Sequence, residues 1–183
     1  MEIIIIMLIV ALISFTIYGL STRNAAANQS GEYIKRDGMP QTQEECIELC
    51  MKVLHSMNCK VEIDKEFTDK IDFKYQGGLF SIVNYSPFIR ICFWFWYEID
   101  LDDIDKLAKA RHVINDLNLE SSTPCVSYVI NDELQKMYIH SSVDTVFTNE
   151  IPALDDLLEY YFGRFFERAN EFKVRMAAEE KAE

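Results

Sequence analysis

From Asp69 to Ile99 the chain reads DKIDFKYQGGLFSIVNYSPFIRICFWFWYEI, and this stretch restricts the fold more than any other. Ile71, Phe73 and Tyr75 alternate with Asp72, Lys74 and Gln76, the period of a strand with one buried face. Gly77-Gly78 then permits the positive φ angles of a tight hairpin turn. Leu79 to Tyr85 returns, Ser86-Pro87 turns the chain, and Phe88 to Ile99 runs on as an aromatic strand. Strands joined by such short turns must pair antiparallel. In the last of them, strict alternation puts Ile91, Phe93, Phe95, Tyr97 and Ile99 on one face. Cys92, Trp94 and Trp96 fall on the other. Both faces are apolar, so both need a cover.

Helices flank these strands. Thr42 and Glu45 have the spacing of a capping box, and Ile47, Cys50, Met51, Leu54 and Met57 follow at helical period. The spacing predicts a helix from about Gln43 to Met57 and a short strand from Lys60 to Asp64. Asp100 is placed to cap a second helix, whose stripe is Ile104, Leu107, Ala108, Ile114 and Leu117. Pro124 to Ile130 and Leu134 to Val143 form another hairpin across Asn131-Asp132-Glu133. A final helix begins near Pro152 and holds Leu154, Leu157, Leu158, Tyr161, Phe165, Ala169, Phe172 and Met176 on one face. The order is α-β-β-β-β-α-β-β-α. This is an α+β domain over 42–176, an antiparallel sheet with helices packed on it, followed by a charged tail at 177–183.

One transmembrane helix is expected ahead of this domain. Residues 3–20, IIIIMLIVALISFTIYGL, carry no charge and would span about 27 Å as a helix, close to the ~30 Å of a bilayer core. A cleaved signal peptide is the competing reading, with small residues at Ala25 to Ala27 as a cleavage region. Against it, no Lys or Arg precedes the run, and the run exceeds the usual ~7–15 residues of such a segment. Arg23, Lys35 and Arg36 follow the span while Glu2 precedes it, which places the C-terminal domain in the cytoplasm. Residues 21–41, rich in Ala, Asn, Ser and Gly, read as a linker.

From DFKYQGGLFSIVNYSPFIRICFWFWYEID, through the helix ending VINDLNLESS, to the hairpin PCVSYVINDELQKMYIHSSV, the chain resembles the YbjN-like domain. These are bacterial sensory-transduction-regulator-like proteins with the fold of type III secretion chaperones. The likeness covers roughly residues 42 to 175 and rests on element order, the Asn115 to Asn118 helix end and the long final helix. It implies a non-enzymatic α+β module, often dimeric, whose sheet and helices contact protein partners. The membrane anchor is an addition to the usual soluble form.

Composition sets bounds on function. A net charge of −12 argues against nucleic acid, whose binders need a basic stripe to displace counterions. Five cysteines, an odd number, fit a disulfide framework poorly, and they read as small buried hydrophobes in a reducing compartment. Glu98, Asp100, Asp102, Asp103 and Asp105 lack the glycine of a calcium loop and read as helix-capping acids. Cys46, Cys50, His55 and Cys59 lack the paired spacing of zinc ligands and read as core. Asn115, Asp116 and Asn118 read as a helix C-cap with Asn in the left-handed conformation. No motif for a catalytic serine, a phosphate loop or a zinc protease occurs.

The expectation is therefore a membrane-anchored, non-enzymatic protein-interaction module, binding a protein partner or its own copy as a homodimer. No catalytic residue, cofactor or metal is assigned. An exported ligand-binding domain behind a signal peptide, or an enzyme without a recognised motif, is the alternative. The candidate interaction surface is Trp94 and Trp96. Either helices fold over both sides of their strand, or these indoles face a groove or a second copy.

Overall fold

A computed structural model describes residues 42–63, 69–121 and 123–179. The 3–20 span and the 21–41 linker lie outside the described residues. Among those described, no helix is long and apolar enough to cross a membrane.

The first helix, α1, spans Gln43–Ser56. Its start is the expected capping box: Glu45 N–H donates to Thr42 Oγ1 at 3.1 Å, and Thr42 N–H donates to Glu45 Oε2 at 3.2 Å. Four strands follow: β1 (Lys60–Ile63), β2 (Lys70–Tyr75), β3 (Gly78–Tyr85) and β4 (Phe88–Asp100). Then come α2 (Ile104–Glu120), β5 (Cys125–Asn131), β6 (Lys136–Val146) and α3 (Leu154–Glu179). All pairings are antiparallel, in the order β1-β2-β3-β4-β6-β5. The α+β class and the order of elements are as the sequence predicts. The helix of α3 continues to Glu179, so it takes in the start of the expected charged tail.

The three helices cover one face of the sheet. Cys46, Cys50, Val53 and Leu54 of α1 and Leu158, Phe162 and Phe165 of α3 bury Ile71, Phe73, Phe80, Ile82, Ile91 and Phe93. A second cluster joins Leu107, Ala110, Val113 and Leu117 of α2 and Phe172 and Met176 of α3 to Ile99, Val126, Met137 and Ile139. Stacked rings bind the first cluster: Phe80 and Phe93 lie 4.6 Å apart between centroids. Gly78 starts β3 where nothing larger fits, since a Cβ there would sit 2.8 Å from ring carbons of both Phe80 and Phe93.

Four local expectations are corrected. Asp100 does not cap α2, because it still pairs with Lys136 as the last residue of β4. The cap is Asp103, whose carboxylate accepts from Lys106 N–H at 3.0 Å. Ile104 and Ala108 are exposed, and the buried stripe of α2 runs instead through Leu107, Ala110, Val113, Ile114 and Leu117. Asn118 is not a left-handed cap. The helix continues to Glu120, and the Asn118 amide brackets Val126, donating to its carbonyl at 2.8 Å and accepting from its N–H at 2.9 Å. Cys125, expected to be buried, is exposed on edge strand β5, whereas Cys46, Cys50, Cys59 and Cys92 are buried.

Two arginines fasten α3 to the end of α2. Arg175 forms a bidentate pair with Glu120, with contacts of 2.9 and 2.5 Å. Arg168 is buried, donates to Glu171 at 2.8 Å and reaches the Ser121 carbonyl at 3.4 Å. A guanidinium at a helix C-terminus meets the negative end of its dipole and its unpaired carbonyls.

Candidate functional site

The site is organised by an irregularity in β4. Phe93 pairs with Ser141 and Tyr97 with Ile139, so three residues of β4 stand opposite His140 alone. The excess is taken up at Phe95, whose φ is +50°, a conformation rare for a bulky L-residue. Bulges of this kind re-aim side chains and increase local twist. Here Phe95 and Trp96 exchange faces relative to strict alternation.

Trp94 and Trp96 therefore lean to opposite faces of the sheet, where strict alternation puts them on one, although both still line one groove at the bulge. Trp96 turns towards the helices, meets Phe172 edge to face with centroids 5.2 Å apart, and donates its indole N–H to Ser141 Oγ at 3.0 Å. It packs against both hydrophobic clusters. Trp94 stays on the open side, half-buried, and donates to the buried Ser81 Oγ at 2.6 Å. Phe95 joins it there, 5.6 Å away between centroids and 52% exposed.

No described element covers this open face. Register places Leu79, Tyr85, Phe88, Val129 and Val146 on it, ring contacts with Trp94 and Tyr138 add Phe95, and all six are exposed. Its ionic groups are balanced, unlike those of the chain as a whole. Lys60, Lys70, Lys74, Arg90 and Lys136 are matched by Glu62, Asp72, Glu98, Asp100 and Asp144. Several already pair: Arg90 with Asp144 at 2.7 Å, Lys70 with Asp72 at 2.9 Å. The Arg90 guanidinium holds the Asp144 carboxyl below its usual value.

On the same side as Trp94 are His140, against its ring, and the buried Cys92, opposite Ser81 and Ser142. The His140 ring is 5.2 Å from that of Trp94, its Nε2 is 3.0 Å from Ser127 Oγ, and its buried Nδ1 has no partner. Burial lowers the His140 pKa and raises that of the Cys92 thiol, so neither carries charge near neutrality.

Where the bulge approaches α3 there is a groove of about 520 Å³, lined by Gly78, Trp94, Phe95, Trp96, Asn170 and Lys173 among others. Its aromatic floor continues into Phe166 and its rim is polar. Among the described residues no group of three or more His, Cys, Asp or Glu side chains is placed to hold a metal ion. Asp103 serves as a cap, and Cys46, Cys50 and Cys59 lie in the core while His55 is exposed.

Phe95, His140, Asn170 and Lys173 were not candidates from sequence. Strict alternation puts Phe95 on the face of Phe93 and Tyr97, because no local signal marks a bulge between aromatic residues. The other three reach the site through β6 and α3, far away in the chain.

No protein-family model matches the chain, and no curated protein matches it. Among solved structures it is similar to an uncharacterized protein from Methanothermobacter thermautotrophicus, at 10% identity and a TM-score of 0.45, over 75% of this chain and 97% of that one.

Proposed function

We propose that this chain is a membrane-anchored, non-enzymatic protein-interaction module of the YbjN-like type, with the open sheet face around Trp94 and Phe95 as its contact surface. One observation carries the reading. All three described helices lie on one side of the sheet, and the side that no described element covers displays a set of large apolar residues among balanced charges. Extended exposed apolar patches on soluble domains mark sites of association. Charge balance lets a partner approach a chain whose net charge is otherwise −12.

Photo-crosslinking tests the surface. A benzophenone side chain at Phe95 in the full-length protein, in its native membranes, should give discrete protein adducts. The same probe at Ile104, exposed on α2 and away from the sheet face, should not. Absence of adducts at Phe95, or an identical set from both positions, overturns the assignment.

The anchor and orientation are part of the proposal. The full chain should stay with membranes through carbonate extraction. Cys125 provides an accessible reporter of orientation because it is the exposed thiol. A cytoplasmic domain predicts that an impermeant thiol reagent labels Cys125 only after lysis. Labelling of intact cells would favour the exported alternative.

A further inference from the structure

We infer that the second half of β4 is a strand-addition site for an extended partner segment in which basic and apolar residues alternate. This rests on the protein-interaction reading above and names the occupant. Neighbour β3 begins at Gly78, and its last pairing with β4 is Leu79 with Trp94. Beyond the bulge, Tyr97 to Asp100 pair with Ile139 to Lys136 on the β6 side. Among the described residues no strand pairs with them on the other side. An interior strand thus becomes an edge halfway along its length. On that edge alternate residues present N–H and C=O groups to the gap.

The surroundings select the occupant. The groove of about 520 Å³ lies at the start of the free edge, bounded by the β2–β3 turn and by α3. A notch within a sheet, closed at one end by a hairpin tip, admits a single extended segment more readily than the edge of another folded sheet. A strand laid there would alternate its side chains between two surfaces. Those turned inward meet Trp96 and Tyr97, an apolar lining. Those turned outward lie beside Glu98 and Asp100, both more than half exposed, two carboxylates that share the single cation Lys136 and so leave one negative charge over. Opposite charges across neighbouring strands are favourable and like charges are not. Basic residues therefore belong on the outer side of the guest. The same acids disfavour pairing of this edge with itself in a second copy.

The test uses the full-length protein in non-ionic micelles and fluorescent peptides of about eight residues, a typical strand length. One alternates Lys and Val, one alternates Glu and Val, and the third is the Lys-Val peptide N-methylated at alternate amides. The Lys-Val peptide should bind saturably and slow amide exchange at residues 97–100. The N-methylated form keeps every charge and loses the donors of one edge, so it should bind about ten-fold more weakly or worse. The Glu-Val peptide should not bind. Asn170→Trp, an exposed position of α3 at the groove, should weaken the Lys-Val peptide by a similar factor while leaving the melting temperature unchanged. Equal binding by the N-methylated peptide, protection elsewhere than 97–100, or no binding each overturns strand addition. If Phe95 crosslinks persist in that event, the interaction surface stands without this mode. If both fail, both readings fall.

Discussion

Trp96 and Phe172 meet edge to face, with centroids 5.2 Å apart and planes at 77°, and this contact joins the two halves of the hydrophobic core. Trp94, two residues earlier, lies on the opposite side of the sheet. The two indoles therefore differ in what they hold together.

Their substitution should separate stability from association. Trp96→Ala removes a ring packed against both clusters and leaves Ser141 without its donor, and should cost about 3 kcal/mol, at the low end for a large aromatic because Trp96 is only partly buried. Trp94→Ser should cost less, about 1–2 kcal/mol, from its bond to Ser81 and the part of the indole packed on His140 and Phe95, and alter the contacts of the open face. Urea denaturation of both variants measures the difference. Equal losses would refute the division of roles.

Gly78 is under a different constraint. A methyl group there meets the ends of two stacked rings at 2.8 Å, and neither ring moves without disturbing the other. Gly78→Ala should destabilise by ~1–3 kcal/mol through overpacking. Gly77→Ala meets no atom within 4 Å but carries a φ of +82°, so its cost is one of backbone strain. A Phe80→Leu background should relieve the first substitution and leave the second unchanged, as thermal melts of the double variants will show.

Asn118→Ala should be costly for a surface-facing helical residue. It deletes two hydrogen bonds to Val126 and leaves a backbone N–H and C=O of β5 without those partners. The expected loss is about 1–3 kcal/mol in equilibrium unfolding. Asn118→Asp retains the acceptor and should recover part of it.

Stability should fall in mild acid because of His140. Burial depresses its pKa in the folded state, so the unfolded chain takes up the proton first as pH drops below about 6.5. Stability is then lost as pH falls from there through the folded value. Above that window both states are neutral at this group and no dependence arises from it. Comparing urea midpoints at about pH 7 and about pH 5, His140→Gln should show a smaller decline than the parent. An unchanged decline would assign the acid sensitivity to other groups.

Much of the architecture was legible because it rests on local chemistry. The Thr42–Glu45 box and the alternation of Ile71 to Tyr75 each act within a few residues and stand where expected, whereas the hairpin turn falls one residue earlier than Gly77-Gly78, at Gln76-Gly77, with Gly78 already paired to Tyr75. The exchange of Phe95 and Trp96 was not legible. Both residues are aromatic, so hydropathy is blind to which one turns inward. The exchange accompanies a register shift against β6, where His140 alone stands opposite them on a strand contributed by a later hairpin. The pairing of Asn118 with Val126 was hidden for a related reason: an Asn near a helix end suits a cap as well as a bracket for the next strand. The open face was half legible. Asp72 and Lys74 signalled water on one side of β2, whereas the apolar residues of β4 suggested a second cover that no described element provides.

The strand order has a kinetic consequence. Strands β1 to β4 form a meander whose partners lie close in the chain, and β5 with β6 form a hairpin of their own. Only the β4–β6 seam joins distant segments, matching Ile91 with Val143 across all of α2. Closing that loop costs entropy before any contact repays it, so this seam is expected to set the folding rate. Until it closes, β4 offers an uncovered edge along Phe88 to Phe93, where every residue but Arg90 is apolar, to any other chain in the same state. The protein's exposure to misassembly is thus concentrated in one strand and one interval of its folding, and crowding of nascent chains would matter most then.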